Sequence, residues 1–228
     1  MNLMPDVKQN YLDVLRTARS IAEDCGRDPE DIRLIAVSKT KPLELVEEAA
    51  LAGAVDFGEN RPQELAVKQE QRPELRWHQI GHLQKNKVKL VVGKAEFIHS
   101  VDSLELASLI NKRAASLGVL QKILLQVNIT GEETKFGVSP GELEGLIEGV
   151  RPLGNIRLEG LMTISAPGYT PQQNAEVFKT LKALAVRQGL HELSMGMTHD
   201  FKEAIECGAT MIRVGTAIFG ERDYQNKR

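Results

Sequence analysis

Short β-branched runs separated by stretches of helical period recur eight times along this chain, and no other feature constrains the fold as much. Strand alternating with helix demands parallel strands joined by helical crossovers. The runs fall at 33–38, 55–58, 76–80, 97–101, 123–129, 156–164, 192–195 and 211–215. The fifth, Ile-Leu-Leu-Gln-Val-Asn-Ile, is the clearest. A helix over 11–25 is predicted to precede them and to end before Gly26. Pro42 and Pro62 suit first-turn positions. Asp102 or Ser103 is expected to cap a helix over 104–117 that stops at Gly118. Pro171 opens another that ends near Gly189, and Thr198 or Asp200 caps one over 201–207. Eight such units in 228 residues fit an α/β fold, a single (β/α)8 TIM barrel with an extra N-terminal helix, near the small end of its size range. An open doubly wound sheet satisfies the same alternation, because sequence does not show closure. No linker rich in Pro, Gly or Ser divides the chain, and little follows Gly220. Residues 1–228 therefore read as one barrel domain.

Composition narrows the function. Twenty-nine Lys and Arg against 31 Asp and Glu leave a net charge of −2, and aromatics make up 4%. A nucleic-acid binder usually carries a basic excess or stacking rings, so that class is excluded. Cys25 and Cys207 offer neither a metal-type spacing nor a disulfide framework. The first residues lack the basic and apolar regions of an export signal, and no apolar run approaches the ~18 residues of a membrane span. A reducing cytoplasm is the expected location.

In such barrels function sits where the chain leaves each strand. After the first run comes Ser38-Lys39-Thr40-Lys41-Pro42. Alternation puts Ile35, Val37 and Lys39 on one face. If that face is inward, Lys39 stands at the mouth above two apolar residues. Partial desolvation there favours the neutral amine that attacks a carbonyl carbon. A solvated rim lysine fits the same position, and Lys41 suits the rim. The last run continues Arg213-Val214-Gly215-Thr216. Gly215 permits close approach of backbone to a ligand, and Thr216 offers a hydroxyl and an N–H at the start of a helical turn. With Ser194-Met195-Gly196-Met197 of the seventh run they form a candidate phosphate cradle, although each alone is also an ordinary turn. Arg213 shares a face with Met211, so closure would bring it near Lys39. An interior ion pair is the other reading of Arg213.

Other strand ends add polar groups. Asn60 either reaches the mouth or caps the next helix. His78 is either a hydrogen-bonded core residue or a site residue. Lys135, in Thr134-Lys135-Phe136-Gly137, is a loop charge or a second cation over the mouth, and Met162 packs in the core or against a ligand ring. The five His residues build no metal site, since His78 and His82 flank Gly81 at a strand-to-helix turn.

Read together, these segments resemble a known family. Ala36 to Pro42, Phe57-Gly58-Glu59-Asn60, Trp77 to Lys87, Lys135-Phe136-Gly137, Gly160-Leu161-Met162, Ser194 to Met197 and Arg213 to Thr216 occur in this order. They look like the pyridoxal-phosphate homeostasis protein family, also called the proline synthetase co-transcribed family, and the resemblance spans about residue 10 to Gly220. It implies the barrel of the N-terminal part of alanine racemase and pyridoxal 5'-phosphate (PLP) as cofactor. Lys39 matches the Schiff-base lysine, Asn60 and Met162 match residues around the pyridine ring, and Arg213 matches the partner of the ring nitrogen. Ser194, Gly215 and Thr216 match phosphate contacts, and Lys135 matches a lysine linked to cofactor handling. Thr198 stands where many members have Ser. The implied role is that of a carrier and reservoir in vitamin B6 and amino-acid homeostasis without established turnover, with PLP-dependent apo-enzymes as recipients, and the lack of an added interface domain favours a monomer.

Arginine is a poor proton donor, so a ring nitrogen beside Arg213 would stay largely unprotonated, which weakens the ring as an electron sink. A two-base racemase needs a second acid or base, and Tyr11, Tyr169 and Tyr224 sit in no matching motif. A PLP-dependent racemase-like enzyme and a Schiff-base aldolase are the competing readings.

Overall fold

The computed structural model describes residues 6–132 and 134–221. Eight parallel strands run β1 (Arg33–Val37), β2 (Asp56–Glu59), β3 (Arg76–Gln79), β4 (Phe97–Val101), β5 (Gln121–Gln126), β6 (Ile156–Met162), β7 (Glu192–Ser194) and β8 (Met211–Val214). They close into a barrel in sequence order. Closure is made by β8 against β1, with Ile35 opposite Arg213, so the open doubly wound sheet does not form. The helices are α1 (Val7–Asp24), α2 (Leu43–Leu51), α3 (Pro62–Gln71), α4 (Val88–Val91), α5 (Leu104–Leu117), α6 (Leu143–Val150), α7 (Pro171–Arg187), α8 (Phe201–Glu206) and α9 (Thr216–Phe219).

Local chemistry explains the boundaries. The first helix starts at Val7, four residues before its predicted start, because the Asp6 carboxylate accepts from Gln9 N–H at 2.9 Å. Ser103 caps α5, and the left-handed Gly118 ends it. Thr170 and Gln173 form a reciprocal capping box with Pro171 in the first turn of α7. Pro42 lies one residue outside its helix, at the N-cap. Asp200 occupies the N-cap of α8 without capping it. Its carboxylate accepts instead from Met197 N–H and the Ser165 hydroxyl. The fifth strand ends at Gln126, three residues before its predicted end. Beyond it, Asn128 N–H bonds the Val138 carbonyl, and the Asn128 side chain holds the loop through Gly131 N–H and the Glu132 carbonyl.

Alternation sorts the side chains. Leu34, Ala36, Phe57, Trp77, Ile98, Leu125, Leu161, Leu193, Ile212 and Val214 face outward into the apolar layer under the helices. Each large aliphatic or phenylalanine side chain of this set removed from water contributes about 1.5–3 kcal/mol. Inside, Ile35, Phe97, Leu124, Met162 and Met211 form a small separate apolar cluster. The interior also holds polar groups: Asp56, His78, His99, Ser194 and Arg213 are all buried. The first helix lies over the β8–β1 seam, where Asn10 Nδ2 donates to the Ile218 carbonyl at 3.0 Å.

Candidate functional site

A cavity of about 540 Å³ opens at the C-terminal mouth of the barrel, within the size range of small-ligand sites. Val37 and Lys39 line it from β1, Arg213 from β8, and Gly215 and Thr216 from the turn into α9. Asn60, Lys41 and Gln126 supply further polar groups, while Ile80, Ile164 and Phe219 supply apolar wall. The face bearing Ile35, Val37 and Lys39 is thus the inward one, since Ile35 belongs to the interior cluster.

The turn that carries Lys39 is strained. Thr40 has φ of +63°, unusual for a β-branched residue. It is held by a hydrogen bond from Thr40 N–H to Glu64 Oε2 at 2.9 Å and by Lys41 N–H to the Ser38 carbonyl at 3.0 Å. Behind it, Ser38 Oγ–H and Lys68 Nζ both donate to Glu59 Oε1 at 2.6 Å, and Lys68 also reaches the Ser38 carbonyl at 2.9 Å. This buried knot ties the ends of β1 and β2 to α3. Burial pushes the Glu59 carboxyl up, and Lys68 and Ser38 offset only part of it.

Arg213 is buried and makes no ion pair among the described residues. Its two terminal nitrogens donate to Ser194 Oγ at 2.6 Å and to the Thr163 carbonyl at 3.0 Å. Burial brings the guanidinium down to about 10, with Asp200 pulling the other way, so it is charged at neutral pH. Gly215 also has a packing role. A Cβ there would sit 3.2 Å from the Val37 carbonyl, so its small size lets β8 close on β1. Gly196 has φ of +89°, and a Cβ there would overlap Ala204, which fixes the β7 turn against α8.

The chain matches the family described as alanine racemase, N-terminal domain, over residues 15–223. It is 43% identical over 226 residues to the pyridoxal phosphate homeostasis protein of Pseudomonas aeruginosa, covering 97% of this chain and 98% of that one. The protein of the same name from Escherichia coli K12 is 42% identical, covering 98% and 100%. The chain belongs to the pyridoxal phosphate homeostasis protein family. A solved structure of PipY from Synechococcus elongatus PCC7942, with PLP bound, superposes with a TM-score of 0.80 at 38% identity, covering 89% of this chain and 99% of that one.

Against the pattern that this family suggests, the residues separate into three groups. Lys39, Asn60, Arg213, Gly215 and Thr216 converge on the cavity. Met162, His78 and Ser194 do not line it. Met162 belongs to the apolar cluster inside the barrel. His78 is fully buried between Asp56 and His99. The Ser194 hydroxyl is taken up by His99 and Arg213 and faces the interior. Lys135 stands beside the cavity, in a smaller one of about 160 Å³. Its ammonium pairs with Glu132 at 2.7 Å and bonds the Ser165 carbonyl at 3.2 Å. Tyr11 is buried under α1's own face, away from the mouth, and Tyr224 lies outside the described residues.

Sequence reasoning missed several lining residues. Gln126 was masked by reading β5 three residues too long; alternation from the inward Leu124 points to it. His82 and Phe136, whose rings stack at 3.7 Å over the opening, come from different loops, and only the fold brings them together. Thr198 and His199 also line the mouth, and Thr198 is the hydroxyl retained after Met197.

The donor set suits PLP. An amine, a buried guanidinium, a threonine hydroxyl at a helical start and apolar walls answer an aldehyde, a ring nitrogen, a phosphate and a planar ring. No group of three or more metal-ligating side chains occurs among the described residues.

Proposed function

We propose that this chain is a PLP carrier and reservoir, one barrel domain that takes up the cofactor at the mouth and yields it to apo-enzymes. The observation that carries the reading is the convergence of Lys39, Arg213 and Thr216, from the adjoining ends of β1 and β8, on one cavity. When bound, PLP supplies an aldehyde and a conjugated ring that withdraws electrons. Lys39 is the amine that holds the aldehyde as a Schiff base. Arg213 faces the ring nitrogen, which it does not protonate, because a guanidinium keeps its protons. Thr216 and the N–H groups at the start of α9 receive the phosphate, and Asn60 lies beside the ring. Met162 supports the ring from the interior cluster. Lys135 stands beside the site as a second cation near the mouth.

The same residues support a non-catalytic role. With an arginine at the ring nitrogen the electron sink is weak, and neither Tyr11 nor Tyr169 lines the cavity. The deciding experiment is borohydride reduction of the purified chain with PLP, followed by peptide mass mapping. The added mass is expected on Lys39 and absent there in Lys39→Ala. Mass on another lysine of the wild type would overturn the assignment. Steady release of a D-amino acid from its L-enantiomer, lost in Lys39→Ala, would replace the carrier with a racemase.

A further inference from the structure

Beneath the cavity runs a continuous line of hydrogen bonds from one side of the barrel to the other. Arg213 Nη1 donates to Ser194 Oγ at 2.6 Å, and Ser194 Oγ lies 2.8 Å from His99 Nδ1. His99 Nε2 lies 3.0 Å from His78 Nδ1, and His78 Nε2 lies 2.9 Å from Asp56 Oδ1. Five side chains from β8, β7, β4, β3 and β2 take part, and the step from β4 to β7 crosses the interior. All five are essentially sealed from solvent, at 0–3% exposure.

Proton counting gives every link one direction. A guanidinium has no acceptor, so Ser194 must accept from Arg213. A hydroxyl has two lone pairs, so the Arg213 end alone does not place the Ser194 proton; the other end does. The Asp56 carboxylate only accepts, so a neutral His78 that donates to it from Nε2 has Nδ1 bare. A neutral His99 that donates to that nitrogen from Nε2 has its own Nδ1 bare, leaving Ser194 as the donor to it. Both imidazoles are neutral in this scheme, and burial pushes both below the ordinary histidine range, His99 furthest. The dipoles all point the same way. The chain presents a hydroxyl oxygen to the guanidinium and an N–H to the carboxylate, so it stabilises a charge at each end. That compensates a buried cation that has no carboxylate in contact. Arg213 does not release a proton at neutral pH, so the line is not a proton relay.

We infer that His99 and His78 are positioning residues, which through Ser194 and with Asp56 as anchor hold the Arg213 guanidinium in place and aimed into the cavity. This deepens the cofactor reading and rests on it only for what Arg213 meets there; the chain itself belongs to the protein without ligand. Two measurements test it. Long-range proton–nitrogen spectra of histidine-labelled protein without PLP are expected to show His78 and His99 as Nε2–H tautomers with bare Nδ1. Either ring protonated on Nδ1 at neutral pH overturns the inference. The second is PLP affinity of folded His99→Leu and His99→Gln. Breaking a hydrogen-bonded line to a charged group costs about 1.5–3 kcal/mol, so His99→Leu should bind about ten- to a hundredfold more weakly. The glutamine amide keeps one acceptor and one donor, so His99→Gln should stay within about threefold of wild type. Wild-type affinity in His99→Leu, or equal losses in both variants, overturns the positioning role. If the wild type takes up no PLP, the cofactor reading fails, and the tautomer spectra still decide the chain.

Discussion

Two carboxylates on the same four-residue strand meet opposite fates. Asp56 and Glu59 open and close β2 and are both buried. Asp56 points into the barrel. Burial alone would raise its carboxyl, but hydrogen bonds from His78 and Arg76 outweigh that and hold it below the usual range. Glu59 points out toward α3. One of its oxygens takes both the Lys68 ammonium and the Ser38 hydroxyl, and the other has no hydrogen-bond partner among the described residues. Its carboxyl is pushed up despite an ion pair at 2.6 Å. Burial is therefore not what separates them; the count and placement of donors is. The inward carboxylate anchors the line that reaches Arg213. The outward one clamps the strand end from which Lys39 projects.

Removing the inward carboxylate should cost most. Asp56→Ala leaves the buried His78 N–H and the half-exposed Arg76 guanidinium without their acceptor, two hydrogen bonds to a charged group at about 1.5–3 kcal/mol each, the one to Arg76 at the low end. Urea unfolding measures it, and a loss below that of the Glu59 variants would invert the contrast. Glu59→Leu strands Lys68 and should cost about 2–3 kcal/mol, whereas Glu59→Leu combined with Lys68→Met should recover most of it, because a buried ion pair is often matched by apolar residues. A double variant no better than the single one would mean that the pair holds the fold beyond its own charges.

The two carboxylates and the histidines also differ in how they respond to acid. Burial holds His78 and His99 below the ordinary histidine value of 6.5. Below that pH the unfolded chain binds more protons than the folded one, so stability present above it is lost as the pH falls. Asp56, also lowered, adds loss of the same sign beginning near its unfolded value of 3.8. Glu59 is raised, so its contribution is fully present below 4.5 and is lost as the pH rises through its folded value. Melting curves between neutral pH and about 5 should show stability falling with acid, and His99→Gln should flatten the fall. An unchanged slope in that variant would mean that His99 is not a neutral, buried link.

The barrel and the shared mouth of Lys39 and Arg213 were legible in the sequence, this contrast was not, and the reason is geometric. Alternation alone put Arg213 with Met211 and Lys39 with Ile35, and closure then joined the two sets at one mouth. The same alternation was available for Asp56, His78, His99 and Ser194, yet their meeting depends on the barrel's diameter, which brings β4 to β7 across the axis and leaves no trace in spacing. Ser194 illustrates the gap: a hydroxyl at a strand end reads as a ligand contact, and only the fold shows His99 and Arg213 already using it. The Glu59–Lys68 pair lies nine residues apart across a strand and a helix, a separation that helical periodicity does not flag.

The rim offers the smallest effect on stability and a check that the interior groups, not the covering ring, set the strength of binding. Phe136 is 53% exposed and stacks on His82 over the opening. It belongs to the loop held by Lys135, whose ammonium spans Glu132 and the Ser165 carbonyl. A half-exposed ring on a loop contributes little to the core, so Phe136→Ala should change unfolding free energy by only about 0.5 kcal/mol. Its effect should appear in exchange instead. With the stack gone, both association and release of PLP should quicken together, leaving the equilibrium affinity within about twofold. Stopped-flow absorbance with and without a competing apo-enzyme separates the two rates. An affinity loss as large as that expected for His99→Leu would place the grip on the cofactor at the rim rather than in the line that ends at Arg213.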